Sequence, residues 1–363
     1  MALSNLFKKK ASAEVGAAES LYLDPRPDYS EGYDKDENVV VRLVSPKKAG
    51  AKPYQTRGIE DVASKNNWKG WLYLAPALIL ISIFLLYPLV NTIFIAFTKD
   101  YIYATGEFSG MTFTNFSYIL GFTQKDNGAQ EVFFTQYAIP NTFLVVIVTV
   151  PISTALALLI AVALNSIKWF QKILQTIFFL PYVTNAIAVG MVFSVLFDRS
   201  GVINFLFGLG DKAWIYAAPR ESAMIPLMLY IVWSSIPFKI LIFLSGLQGV
   251  DKQYYQAAQI DSTPKWKVLT RITVPLLSPQ ILYILITSFI GAWKEYTSVV
   301  GLFNGPGTMG KNGTPNMETI VYYIYLNLST NTSEAAAAAV FLFVIIMVFT
   351  ALQFAVSKKR VHY

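Results

Sequence analysis

The chain has 363 residues, of which 54% are hydrophobic, 15% aromatic and only 14% charged, and its mean hydropathy is +0.46. Soluble domains carry about 25% charged residues, so composition alone marks a membrane protein. There is no cysteine, and the single histidine, His362, sits beside the C-terminus. That excludes disulfides, thiolate chemistry and a histidine-based metal site or general base in the core.

The net charge is +7, and it is read as the asymmetry that orients a chain in a bilayer, not as a nucleic-acid surface. Residues 1–70 are polar and mixed in charge, with Lys8, Lys9 and Lys10 near the start and an acidic patch from Asp24 to Glu37. They lack the apolar core of about 7–15 residues that a secretory signal needs. This predicts a cytoplasmic tail, partly disordered. Six apolar windows follow, near Trp71–Phe97, Phe143–Leu164, Ile173–Phe197, Met224–Leu247, Ile281–Phe303 and Ala335–Val356. Each matches the roughly 20 residues that cross a bilayer. The expected fold is all-α, a polytopic membrane domain over residues 71–357 with six transmembrane helices, followed by a short tail at 358–363. Prolines in or near the windows, among them Pro151, Pro181 and Pro237, predict kinked helices in a packed bundle.

Lysine and arginine set the orientation. Among the short loops, Lys168, Lys172, Lys252, Lys265, Lys267, Arg271, Lys358, Lys359 and Arg360 lie on the side of the N-terminus. Lys99, Lys125, Arg199, Lys212, Arg220 and Lys311 lie on the other. The excess, reinforced by residues 1–70, places both termini in the cytoplasm. The segments 98–142, 198–223 and 304–334 then become long outer loops, either a docking surface or solvated connectors.

Residues 248–279 form a polar island between two apolar windows, on the cytoplasmic side. Asp251, Lys252, Asp261, Lys265, Lys267 and Arg271 all fall in it, and a polar insert of this length cannot lie in lipid. Gln253 to Asp261 contains helix formers. Ser262 or Thr263 is expected to cap a second helix with Pro264 at its first position, and Pro275 and Pro279 to end that helix and open the next span. Two short surface helices joined by a tight turn result, well placed to receive force from outside the chain.

Charges inside spans cost a few kcal/mol each at the bilayer centre, and Lys239, Lys294 and Glu295 are such charges. Two readings stand side by side. Lys239 and Glu295 could form an internal ion pair. Alternatively, they belong to a polar, aromatic-lined cavity in which a hydroxyl-rich solute is hydrogen-bonded and stacked. Trp233, Ser234, Ser235, Phe238 and Lys239 would supply one wall, and Ser288, Gly291, Ala292 and Glu295 the other. Residues 305–312 have the glycine and lysine spacing of a phosphate-binding loop, but Asn312 stands where a magnesium-binding hydroxyl is needed and no strand precedes it. The chain is therefore expected to bind no cofactor and to catalyse nothing itself.

At the island, Gln256-Ala257-Ala258-Gln259-Ile260-Asp261-Ser262, followed by Ile272-Thr273-Val274-Pro275-Leu276-Leu277-Ser278-Pro279, resembles the cytoplasmic signature loop of binding-protein-dependent ABC importer permeases. Four further stretches look like the carbohydrate subfamily, on the side of the maltose-type first permease. They are Tyr73-Leu74-Ala75-Pro76-Ala77, Phe178-Phe179-Leu180-Pro181-Tyr182-Val183, Leu244-Ser245-Gly246-Leu247-Gln248 and Asn304-Gly305-Pro306-Gly307. Together they cover roughly residues 70–360. The departures are Gln256, where the family has Glu, and Ser262-Thr263, where it has Gly-Ala. Serine gives up glycine's freedom at positive φ.

The resemblance implies a permease subunit of an ATP-driven importer in a bacterial or archaeal plasma membrane, carrying a sugar or oligosaccharide. A polyol or glycerol-phosphate-type solute is the alternative. It implies pairing with a second, homologous permease, two ATPase subunits that bind ATP and magnesium, and an extracytoplasmic solute-binding protein, with lipid around the bundle and no nucleic acid. Tyr255, Gln256, Ala257, Ala258, Asp261 and Ser262 would dock an ATPase, and the family's sugar contacts would fall near Ser234, Ser235, Phe238, Ser288, Gly291, Ala292 and Glu295. An ion-coupled secondary transporter is the remaining rival; it would be expected to show inverted repeats and broken helices.

Overall fold

A computed structural model describes residues 67–124, 133–167, 171–303 and 316–357. The tails at 1–66 and 358–363, and the glycine-rich segment 305–312, lie outside the described residues. The chain divides into two units, Met1–Leu74 and Ala75–Tyr363; of the first, only the opening of helix α1 is described.

The elements are helical wherever the sequence is apolar, because in lipid a helix satisfies its own backbone groups. Helix α1 (Asn67–Ile81) and α2 (Tyr87–Ala96) join through a π-helical turn at Ser82–Leu86, just ahead of Pro88, whose missing N–H loosens the ladder. A two-residue hairpin pairs β1 (Thr98–Lys99) with β2 (Gly110–Met111), and α3 (Thr114–Ile119) follows. A second π turn at Phe134–Ala138 leads into α4 (Ile139–Ser166), and α5 (Gln171–Val183) and α6 (Ala186–Leu196) come next. Helix α7 (Val202–Phe207) precedes the long α8 (Arg220–Gln248). The island holds α9 (Lys252–Ile260), α10 (Lys265–Val268), a π turn at Leu269–Thr273 and α11 (Val274–Leu276). The chain continues through α12 (Ser278–Trp293), α13 (Thr297–Phe303), α14 (Ile320–Asn327) and α15 (Thr332–Ser357).

Four helical stretches are long and apolar enough to span a membrane by themselves: Gly70–Ala96, Phe134–Ser166, Arg220–Gln248 and Thr332–Ser357. Two of the six expected windows are not single helices. The third is bent by 96° between Ile173–Val183 and Ala186–Leu196. Asn185 stops the first half and caps the second, its Oδ1 accepting the Ile187 N–H at 2.9 Å, a local bond that competes with helix continuation. Within the fifth, helix α12 ends at Trp293, and Lys294 to Tyr296 separate it from α13. Helix α12 also meets Lys265–Leu276 at 71°. Broken helices are therefore present, so that feature does not separate the importer reading from the ion-coupled one.

The core runs along α4, against which α8 and α12 pack, while α15 packs on α2 and α6 on α13. The last contact requires glycine. A Cβ on Gly190 would stand 2.6 Å from the Gly301 carbonyl carbon, so only two glycines let these backbones meet. The segment 198–223 and the described part of 304–334 are not simple connectors. Trp214, Met317, Ile320 and Tyr322 are buried in them. Asn141, fully buried at the start of α4, donates to Asn316 O at 3.0 Å and Glu318 O at 2.8 Å and accepts from Arg220 Nε at 2.7 Å. One side chain thus satisfies groups from two segments, at 316–318 and 220, that are distant from it in sequence.

Candidate functional site

Three helices converge on a half-open cavity of about 230 Å³. Helix α4 contributes Thr149, Val150 and Ser153, and α8 contributes Ile231, Ser234, Ser235 and Lys239. Ser288, Gly291 and Ala292 of α12, with Glu295 just beyond it, complete the wall. The spacings explain the convergence. Residues three and four apart share one helix face, and 231-234-235-239, 288-291-292-295 and 149-153 each form such a row. Gly291 and Ala292 leave the space that larger side chains would fill.

Three of the four serines are already committed as donors. Ser234 Oγ donates to Ile231 O at 3.1 Å, Ser235 Oγ to Val232 O at 3.0 Å, and Ser153 Oγ to Thr149 O at 2.5 Å. Their oxygens remain as acceptors. Lys239, buried to 4% exposure, donates to Ser153 Oγ and reaches Ser235 Oγ at 3.5 Å. The Lys239–Glu295 ion pair is not formed. Glu295 Oε1 instead accepts the Ser298 N–H at 2.9 Å, beside the N-terminus of α13, where negative charge is favoured.

A second cavity of about 320 Å³ adjoins the first and shares Ser234 and Glu295 with it. Tyr182, Tyr230, Trp233 and Tyr296 line it, along with Lys294 and residues at both helix breaks. Trp233 therefore faces the aromatic cavity, not the serine-lined one. Phe238 lines neither; its ring stacks on Tyr182 at 5.6 Å with planes 16° apart. Sequence reasoning missed Thr149, Ser153, Tyr182, Tyr230 and Tyr296. Thr149 and Ser153, polar residues four apart in an apolar window, carried a signal that could have flagged them. The tyrosines did not stand out among the 21 in the chain.

On the island, Asp251 Oδ1 caps α9 by accepting the Gln253 N–H at 2.9 Å. Ala258 faces inward at 5% exposure, while Gln256, Ala257 and Asp261 are exposed. Tyr255 Oη and Thr273 Oγ1 lie 3.3 Å apart, tying α9 to the following helix. Ser262 sits at φ 51°, in the left-handed region that glycine enters freely and serine does not. The second helix starts differently from the expectation. Pro264 itself is the N-cap and Lys265 is the first helical residue, because Thr263 N is used to close the turn on Ala258 O at 2.9 Å. A groove of about 590 Å³ lies between α9 and the end of α4, with Tyr255, Ala258 and Ser262 in its lining. Among the described residues no group of acidic or histidine side chains could hold a metal.

A membrane helix bundle with bent spans, a half-open polar cavity and an ordered surface helix is the architecture of a solute permease. Residues 153–362 match the family of binding-protein-dependent transport system inner membrane components, and the chain belongs to that family. It is a multi-pass protein of the plasma membrane. A lactose transport system permease protein of Rhizobium radiobacter is 28% identical over 80% of this chain and 94% of its own length. An arabinooligosaccharide transport system permease protein of Halalkalibacterium halodurans is 30% identical over 70% of this chain and 76% of its own. A crystal structure of a bacterial ABC transporter for the acidic polysaccharide alginate has a similar fold, with TM-score 0.63 at 22% identity, covering 81% of this chain and 96% of that one.

Proposed function

We propose that this chain is the permease subunit of an ATP-driven importer for a sugar or oligosaccharide, with both termini in the cytoplasm and six spans, the bent α5–α6 pair serving as the third and α12 opening the fifth. The observation that carries the reading is the serine-lined cavity between α4, α8 and α12, in a chain whose relatives are named as lactose and arabinooligosaccharide permeases. Hydroxyl oxygens, a buried cation and an adjoining set of aromatic rings are what a polyhydroxylated solute needs for hydrogen bonding and stacking.

The chain would pair with a second, homologous permease and two ATPases, and receive solute from an extracytoplasmic binding protein. Helix α9 would seat in an ATPase cleft through the exposed Gln256, Ala257, Asp261 and Ser262, while Tyr255 and the inward-facing Ala258 hold the helix on the bundle. Closure of the ATPases on ATP and magnesium would then drive the helix and rock the bundle. Tyr255 against Thr273 and the helical run from Lys265 to Leu276 give that motion a route into α12, which carries three cavity residues. The chain itself would bind no nucleotide.

Purification of the assembly from its native membrane tests this: a second permease, an ATPase and a solute-binding protein should co-purify, and proteoliposomes should accumulate sugar only with ATP inside the ATPase-facing compartment. Uptake driven by a sodium or proton gradient without ATP would overturn the reading.

A further inference from the structure

The serine-lined cavity contains a lysine that forms no ion pair. Lys239 is buried, and its partners are the hydroxyl oxygens of Ser153 and Ser235. Among the described residues, no carboxylate lies within ion-pair distance of its ammonium. Glu295 lines the same cavity but is held at the start of α13 by the Ser298 N–H. Lys294, the other charged residue close by, adds a second positive charge in the adjoining cavity. A buried cation with no carboxylate bonded to it is costly, and hydroxyl partners offset only part of that cost. The ammonium has three N–H donors and no acceptor, so a donor beyond those given to Ser153 and Ser235 remains for the cavity.

Building on the sugar-permease reading above, we infer that Lys239 is a specificity-determining residue and that the cargo is a sugar carrying an anionic group, a carboxylate or a phosphate ester. The anionic oxygens sit at Lys239. The hydroxyls donate to Ser153, Ser234 and Ser235, whose own protons are committed to helix carbonyls, and to the Glu295 carboxylate. The ring then lies toward Tyr182, Tyr230 and Trp233 in the adjoining cavity. Alone, 230 Å³ falls below the ~300–1,000 Å³ of small-molecule sites. With the 320 Å³ next to it, the combined space holds one charged sugar unit at Lys239 and a second against the aromatic rings.

The test is uptake by cells carrying the whole transporter, using three labelled probes: a neutral disaccharide, the corresponding uronate disaccharide, and a hexose phosphate. The solute-binding protein also selects, but it is identical in wild type and variants, so a change in the ratio of charged to neutral uptake reports on the permease. Lys239→Met should lower that ratio by about ten-fold or more, and Lys239→Arg should keep most of it. Ser235→Asp places a carboxylate beside Lys239 and should lower the ratio as well; it decides the matter where the Lys239→Met protein does not reach the membrane. The uronate and phosphate arms identify which anion is carried. A wild type that takes up the neutral probe in preference, or a ratio that neither Lys239→Met nor Ser235→Asp moves, overturns the inference and leaves the sugar reading standing. A wild type that takes up none of the three overturns both.

Discussion

The serine-lined cavity and the polar island are built in opposite ways. The island is local: the N-cap at Asp251, the α9 helix, the turn at Ser262 and the proline at 264 follow one another within a short stretch of chain. The cavity is non-local: its residues run from Thr149 to Glu295 and come from three helices that must pack before any of them meet. A surface helix that another protein must grip can be specified by propensity, capping and turn chemistry alone. A binding cavity cannot, because its shape is what remains after the helices pack.

The contrast can be broken or sharpened by mutation. The largest effect is expected at Ala258, where α9 turns inward. Ala258→Arg forces a guanidinium into a 5%-exposed position, at a cost of about 3 kcal/mol from overpacking alone. Uptake should fall by about 100-fold, with loss of the ATPase from the purified assembly. Retention of both would remove α9 from the coupling route. Next comes Glu295→Gln, whose amide oxygen can still accept the Ser298 N–H but which removes the charge offered to sugar hydroxyls in the cavity. A charge-assisted bond is worth about 1.5–3 kcal/mol, so sugar uptake should drop by about ten-fold while the assembly purifies intact. Loss of assembly instead would make Glu295 structural.

Gly190→Ala is smaller and tests packing directly. Its Cβ would stand 2.6 Å from Gly301, so α6 and α13 must separate, at about 1–3 kcal/mol. A lower Tm of the purified assembly should result, and an unchanged Tm would show that the contact yields freely. The smallest effect is expected at Ser262→Gly, which relieves a φ of 51° worth about 1–2 kcal/mol in an L-residue, less glycine's extra entropy in the unfolded chain. A slight rise in Tm is the expected outcome; a fall would mean that the serine hydroxyl makes a contact worth more than the strain.

Much of this was legible in advance, and the failures have physical causes. The windows at Trp71–Phe97, Phe143–Leu164, Met224–Leu247 and Ala335–Val356 correspond to continuous helical spans, because in an apolar run backbone satisfaction leaves little alternative to a helix. The break at Asn185 was hidden inside such a run, since hydropathy averages over a single polar residue, whereas a capping side chain acts at one position. The break after Trp293 was also hidden, although Lys294 and Glu295 marked it. They were read as charges within a span, and they lie where the helix stops. Trp233 and Phe238 were assigned to the serine wall by proximity in sequence. Their helix phase turns Trp233 to the aromatic cavity and Phe238 onto Tyr182.

The sequence by itself determined the membrane setting, the apolar segments, the polar island with its helix and turn, and the residue types that a polar interior would need. These depend on transfer free energy and on backbone preferences, which act over a few neighbouring residues. Only the tertiary structure decided that Ser153 of α4 meets Lys239 of α8, that Glu295 turns to the Ser298 N–H instead of to that lysine, and that two broken helices open onto one space. Those outcomes depend on which helix faces come together, and that is fixed by close packing such as the Gly190–Gly301 contact, between residues whose separation in sequence carries no local signal.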